Sequence, residues 1–389
     1  MRVLLVADVS AERVLGGAER MLDRHVRALA SAHEVTVLSR QPRPDASLTV
    51  SVAGGVTEHR LPFSGDRGPR GLWELMRGAR AWWRAHRGAF DVVVAEQPFA
   101  MWALRRAGCD LPRLQVCYAF AYEEYATRHG LDWGWKHRLV GAGMRRVEGA
   151  LYASARRLFV LSDYTRRRLA EAFPDVTRPV DVAWAGVEAR PLASEAARAE
   201  ARRELGWEGP VVVSLRNLVP RQGLDMLVQA AAILRHDMPE LRWCVMGEGP
   251  LREGLEWLAR QLKVDDIVEF PGFLPEEEVK RRMDAADAFM LPTRALEGFG
   301  LVTVEANERG LPVVATPAGA NPEVAGASPD NVVAEAISPD ALARATRELL
   351  MRREDHAARA RRLHAQVRRE FDWARHDELL LRAVARVAG

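Results

Sequence analysis

The segment "PVVVSLRNLVPRQGLDMLVQAAAILRHDMPELRWCVMG" (Pro210–Gly247) decides the fold. It opens on an unbroken apolar run and crosses a loop holding Pro220 and Gly223. It turns helix-prone over Leu224–Leu234 and returns to a second apolar run at Arg242–Gly247. Strands covered on both faces read as continuous apolar runs, so the segment reads as a βαβ unit with parallel strands. Further strands follow at Ile267–Gly272, Ala288–Thr293 and Pro312–Thr316. They are separated by helical stretches at Leu251–Leu262, at "EEEVKRRMDAA" and after Gly300. The spacing predicts a complete doubly wound sheet.

Toward the N-terminus the same pattern has already run once. Strands are expected at Val3–Ala7, Glu34–Ser39, Asp91–Glu96, Leu114–Tyr118, Leu158–Ser162 and Asp181–Ala185. Helical spacing through Met21, Leu22, Val26 and Leu29 lies between the first two. A polar connector, "SEAARAEARRELGW", starts at a Ser194 N-cap. At 389 residues the chain exceeds one ordinary core. The expectation is an α/β chain of two doubly wound, Rossmann-like domains, 1–187 and 188–372, facing across a cleft. An amphipathic terminal helix, about 373–389, is expected to pack back on the first.

The net charge of +3 arises almost wholly from Arg; only Lys136, Lys263 and Lys280 are Lys. That bias reads as composition and not as a nucleic-acid surface, which needs a basic stripe with interleaved aromatics. The nearest approach is Trp133–Arg157, read first as the solvated face of a long helix and second as a weak contact to an anionic membrane or acceptor. The apolar start is too short for a signal peptide and reads as a first strand. The three cysteines show no metal spacing and suit a reducing compartment, so a cytoplasmic location is expected.

Candidate ligand groups gather at strand ends. The first βα turn lacks G-x-G-x-x-G, which argues against a dinucleotide site, but Gly16-Gly17 opens a helix where a backbone can approach an anion. The alternative for that pair is a helix entry needing positive φ. Arg216 and Arg221 follow the first strand of the second half; their guanidinium forks suit a diphosphate, or are ordinary surface groups. Gly247 ends the next strand, and Phe273-Leu274 follow the strand after it, where a base can lie flat or an ordinary turn can form. In "EGFGLVTVE", Glu297 and Glu305 bracket a helix start at Gly300–Leu301, where free amides favour a phosphate.

Together "LRNLVPRQGLDMLVQAA", "GEGPLREGLEWLA", "VEFPGFLPEEEV" and "ALEGFGLVTVEANERGLPVVATPAGANPEV" closely resemble the retaining glycosyltransferases of family 4, enzymes of the two-Rossmann GT-B fold. "GGAER" (Gly16–Arg20) is similar to that family's N-terminal glycine loop, and "WAGVE" (Trp184–Glu188) to its inter-domain crossing. The likeness spans nearly the whole chain, is strongest over Arg216–Val324 and loosest over Pro42–Leu151.

The resemblance implies transfer of a glycosyl group from a nucleoside diphosphate sugar, with uridine the family's commonest base, to an acceptor hydroxyl or amine. The acceptor is unspecified: a small molecule, a glycan or a lipid-linked group. It implies no cofactor beyond the donor as co-substrate, and no metal. Glu297 would hold donor-sugar hydroxyls and Glu305 the ribose. The amides of Phe299, Gly300, Leu301 and Val302 would meet sugar and diphosphate. Phe273 and Leu274 would frame the base, with Gly16 and Gly17 on the diphosphate or acceptor side. Two departures stand out. Asn217 and Gln222 occupy positions that are usually basic, which leaves the charge to Arg216 and Arg221. Tyr118-Ala119-Phe120, followed by Glu123 and Glu124, stands where many members carry a His. These departures keep two rivals in view: a nucleotide-sugar epimerase or hydrolase on the same fold, and a catalytically silent sugar-nucleotide binder.

Overall fold

The computed structural model describes residues 1–12, 16–64, 68–129, 134–188, 190–352 and 355–389. The chain divides into two compact units. One comprises Met1–Ala126, Asp132–Trp184 and Ala374–Gly389; the other comprises Thr127–Leu131 and Ala185–Trp373.

The first unit runs β1 (Arg2–Val6), α1 (Gly17–Ala30), β2 (Glu34–Arg40), β3 (Thr49–Ser51), β4 (Thr57–Leu61), α2 (Pro69–His86) and β5 (Val92–Ala95). It continues with α3 (Pro98–Arg106), β6 (Arg113–Cys117), α4 (Ala121–His129), α5 (Trp135–Ser154), β7 (Arg157–Val160), α6 (Asp163–Ala172) and β8 (Val180–Val182). The strand order is β3-β4-β2-β1-β5-β6-β7-β8, parallel except where β3 meets β4. The continuous apolar runs are central strands: every residue from Val3 to Val6 and from Val92 to Ala95 is buried. Val3 and Leu5 face α1 through Leu22 and Val26. Leu4 and Val6 face Leu75 of α2, Leu104 of α3 and Leu151 of α5. Each such side chain contributes roughly 1.5–3 kcal/mol on burial, so a strand packed on both faces fixes its own register.

Two strands of this unit lie outside the expected pattern. β4, "TEHRL", hides a polar side: Glu58 and Arg60 are buried and pair with each other, Ser39 donates to Glu58, and Arg60 reaches Ser10 and Glu12. Short β3 pairs with it from outside.

The second unit begins with α7 (Glu195–Leu205), whose Ser194 cap accepts the Ala197 amide at 3.2 Å. It continues through β9 (Val211–Leu215), α8 (Leu224–Leu234), β10 (Arg242–Met246), α9 (Arg252–Gln261), β11 (Val268–Gly272), α10 (Glu276–Ala285) and β12 (Ala288–Leu291). After these come α11 (Leu301–Glu308), β13 (Val313–Ala315), α12 (Asn321–Val324), β14 (Val332–Val333), α13 (Pro339–Leu350) and α14 (His356–Glu370). The sheet is parallel, in the order β11-β10-β9-β12-β13-β14. The chain winds outward from β9 to β11, then returns to place β12 on the other side of β9. Ligand crevices of doubly wound sheets open at such a reversal. The last helix, α15 (Trp373–Ala388), buries Leu380, Ala383, Val384 and Val387 in the core of the first unit beside Val26 and Leu29.

Candidate active site

At the reversal, the loop after β9 meets the loop after β12. Arg216 leaves β9 with only a tenth of its side chain exposed, and Glu297 sits in the β12–α11 loop under similar cover. The guanidinium donates to three neighbours: Nε to Gln222 Oε1 at 2.5 Å, and Nη2 to Thr293 Oγ1 at 3.1 Å and to Glu297 Oε2. Thr293 Oγ1 also donates to Oε2, at 3.0 Å. Both donors therefore converge on one oxygen of Glu297, and Oε1 has no hydrogen-bond partner among the described residues. The carboxylate is fixed at one end and left with acceptor capacity at the other.

The backbone beneath Glu297 is fixed as well. Ala320 N donates to Glu297 O at 2.8 Å, and Gly319, at φ +61°, lies so close that a Cβ there would come within 2.2 Å of that oxygen. Leu296 adopts φ +62°, which is uncommon for a branched residue, and its carbonyl faces Arg221 Nη1 at 3.5 Å. Arg294 N donates to Arg221 O at 2.8 Å, closing the two loops on each other.

Gly300, at φ +83°, is the N-cap of α11, and Leu301 and Val302 form its first turn. Amides of a first turn have no intrahelical acceptor, and together with the macrodipole they favour an anion. Phe299 is buried, with its ring 6.1 Å from that of Phe371. Glu305 is half-buried one turn into the helix. Gly247 N donates to Gly272 O at 2.9 Å, which joins the ends of β10 and β11. Beyond them Phe273 is 73% exposed, whereas Leu274 packs into the core with Met246 and Leu291. Of the pair expected to frame a base, only Phe273 presents a free ring, because Leu274 is drawn inward by apolar burial.

The remaining candidates lie in the first unit. Gly16 caps α1 in extended backbone, φ −153°, so the helix entry does not require a positive φ there. Gly17 is the first residue of α1. Residues 13–15, ahead of this pair, lie outside the described residues. Tyr118 follows β6 and donates its hydroxyl to Glu96; burial, then the Glu96 charge, pushes its pKa well above the usual phenol range. Glu123 accepts from Arg168 at 2.5 Å and from the Tyr122 hydroxyl at 3.0 Å.

Three residues enter the site unannounced by the sequence, Thr293, Thr303 and Asn321, while Gln222, which stands at a usually basic position, instead accepts from Arg216. Asn321 is 1% exposed, yet among the described residues neither its Oδ1 nor its Nδ2 has a partner, and Thr303 Oγ1 is likewise unpartnered. Both lie next to Gly300: a Cβ there would stand 3.4 Å from Thr303 Oγ1 and 3.6 Å from Asn321 Oδ1. Orphaned polar atoms are rare in folded interiors and mark places completed by water or ligand. The sequence signal was the polar Asn inside the otherwise small and apolar "PAGANPEV".

Two parallel-sheet α/β units, one of which carries a fixed carboxylate beside a helix N-terminus at its switch point, make up the GT-B architecture. The sequence model for "Glycosyltransferase Family 4" matches residues 15–190, and that for "Glycosyl transferases group 1" matches residues 197–365. The chain belongs to this glycosyltransferase family. It is 34% identical over 234 residues to a GDP-mannose-dependent alpha-(1-6)-phosphatidylinositol monomannoside mannosyltransferase of Mycolicibacterium smegmatis, a match covering 58% of this chain and 60% of that one. The Mycobacterium tuberculosis enzyme of the same name is 34% identical over 253 residues, 62% of this chain and 64% of the relative. The chain thus spans under two thirds of the length of these relatives. Among solved structures, sucrose-phosphate synthase from Thermosynechococcus elongatus superposes with TM-score 0.81 at 19% identity, covering 99% of this chain and 98% of that one. Anabaena HepE in complex with UDP-glucose superposes with TM-score 0.74 at 18% identity, covering 99% of each chain.

Proposed function

We propose that the protein transfers a glycosyl group from a nucleoside diphosphate sugar to an acceptor hydroxyl, with retention at the anomeric carbon. The observation that carries this reading is Glu297: Oε2 is held by Arg216 and Thr293, and Oε1 is left over to accept from a sugar hydroxyl. The pyrophosphate sits on the first-turn amides of α11, and Glu305 meets the ribose hydroxyls. Phe273 lies against the base. Arg221 balances the charge that grows on the departing phosphate, and Arg216 acts through Glu297 as a positioning residue. In this reading Glu297 and Glu305 bind hydroxyls and neither is a nucleophile, so the acceptor attacks from the leaving-group face and the departing phosphate oxygen takes its proton.

The base and acceptor rest on likeness. The 34% identical relatives are named as GDP-mannose-dependent enzymes acting on a phosphatidylinositol mannoside, so GDP-mannose ranks first here as donor, ahead of the family-wide uridine expectation, and a lipid-linked glycan ranks first as acceptor. The reading requires no metal, and activity is expected to survive EDTA. The test is a thermal-shift panel of GDP-, UDP-, ADP- and dTDP-sugars on the wild type and Glu297→Gln. One nucleotide series is expected to raise the melting midpoint, and less so in the variant. A panel without any shift overturns the reading. Release of free or epimerised sugar from donor alone, without acceptor, transfers the site to hydrolase or epimerase chemistry.

A further inference from the structure

Polar side chains tie down the segment after β1 from both sides. In the first sheet the chain winds from β1 outward through β2 and β4, then returns to place β5 on the other side of β1. The segment after β1 therefore stands at this unit's own reversal, on the edge where doubly wound sheets open their crevice. On the β5 side, Asp8 accepts the Phe99 and Ala100 amides of α3 at 3.0 and 2.6 Å, and its own amide donates to Gln97 Oε1 at 2.8 Å. On the β4 side stands Arg60, whose side chain is wholly buried. Its Nη2 donates to Ser10 Oγ and to Glu12 Oε2, each at 2.9 Å. Ser10 Oγ in turn donates to Glu58 Oε2 at 3.2 Å and accepts the Glu12 amide at 3.2 Å, while Ser39 donates to the other oxygen of Glu58. Ser10 is the hub of this cluster, and the chain goes on from it to Gly16, the N-cap of α1.

Stability alone does not account for the cluster. A buried guanidinium and carboxylate lose their hydration, and an apolar pair of similar volume is commonly as stable. What a fully bonded polar network supplies is one arrangement in preference to others. The arrangement fixed here is that of residues 8–12, ahead of the glycine entry of α1. We propose that Arg60 is a positioning residue for glycosyl transfer, which with Glu58 presets this segment before substrate arrives. The role rests on the glycosyl-transfer reading, in which Gly16 and Gly17 meet the diphosphate or the acceptor. A segment already ordered loses no further conformational entropy on binding, and it keeps its backbone in register with the reacting groups. Being buried, Arg60 acts through Ser10 and Glu12.

Two sets of variants test this from opposite ends. Ser39→Ala/Glu58→Met/Arg60→Met puts apolar bulk in place of the buried charges and leaves residues 8–12 unchanged. Its melting midpoint is expected no more than about 4 °C below that of the wild type. Amide hydrogen exchange at Glu12, whose acceptor Ser10 is still present, should nevertheless speed up at least about tenfold. Ser10→Ala removes the hub and keeps the Glu58–Arg60 pair, and Ser10→Thr restores the hydroxyl. Transfer of label from radioactive GDP-mannose into a glycolipid extract should fall at least about tenfold in the triple variant and in Ser10→Ala, and recover in Ser10→Thr. Unchanged exchange at Glu12 in the triple variant overturns the proposal, and so does faster exchange with transfer intact. If the triple variant melts early, the Ser10→Ala and Ser10→Thr pair decides through transfer: loss without recovery, or no loss, overturns the role. A wild type that transfers no label counts against the donor or acceptor assignment, and exchange at Glu12 then decides alone.

Discussion

Glu297 and Arg216 are 81 residues apart in sequence and share one buried contact, so each is expected to fail when the other is removed. Glu297→Gln keeps the shape but removes the charge. Its kcat is expected to fall about 10²–10³-fold, the usual loss for one group aimed at a reacting sugar or phosphate. The variant should also lose about 3 kcal/mol of stability, because Arg216 keeps its burial without its counter-charge. Arg216→Gln carries the same stability penalty from the other side. The double variant should be destabilised by less than the sum, and additive urea midpoints would count against the pairing. Asn321 supplies the opposite sign. With both amide atoms unpartnered, Asn321→Val is expected to raise the stability of the free protein by about 1–3 kcal/mol. If a donor completes that amide, the same change also shrinks the donor-induced thermal shift; an unchanged shift assigns the orphaned atoms to a buried water.

The loops at the switch point hold their shape through close backbone approaches, and this is tested at two glycines that differ only in surroundings. Gly319→Ala forces a Cβ into Glu297 O at 2.2 Å, so it should cost several kcal/mol and displace the carboxylate. Gly300→Ala has ordinary contacts of 3.4–3.6 Å and only the left-handed φ to bear, about 1–2 kcal/mol. Comparable activity losses in the two variants would contradict this account of the loop. The same contrast explains what the sequence disclosed. Strands such as Val211–Leu215 were legible because burial on both faces leaves a continuous apolar run. β4 was not, because its hidden side is ionic: Glu58 and Arg60 look like surface residues until Ser39 and Ser10 close around them. The helix start at Gly300 was legible from turn chemistry and the bracketing carboxylates. The anchoring of Glu297 was not, since no local rule links Arg216 to a residue so far along the chain. The inward turn of Leu274 shows the same limit: strand-end apolar residues serve core and ligand alike, and only packing decides between them.

Across the whole chain, α15 returns to the first unit and carries a polar group into its core. His376 Nδ1 lies 3.1 Å from Trp184 O, its Nε2 lies 2.9 Å from His25 Nε2, and His25 Nδ1 lies 2.8 Å from Glu96 Oε1. A carbonyl can only accept, so His376 donates from Nδ1 and its Nε2 must accept from His25. A proton on His376 Nε2 would break that chain, and burial together with the neighbouring His25 holds its pKa down to about 3. The sign follows from linkage. Between that value and the ordinary histidine range near 6.5, the unfolded chain binds a proton that the folded one refuses, so stability falls as pH drops through this window. His356, held down to about 4 by burial, adds to the slope, while Glu148, raised by burial to about 7, opposes it. The clean measurement is therefore a difference. Urea unfolding of the wild type and His376→Gln at intervals from pH 7 to pH 5 should show a slope shallower by about 1 kcal/mol per pH unit in the variant, whatever its absolute stability. Parallel slopes would mean that His376 titrates alike in both states, and the directed chain from Trp184 to Glu96 would have to be abandoned.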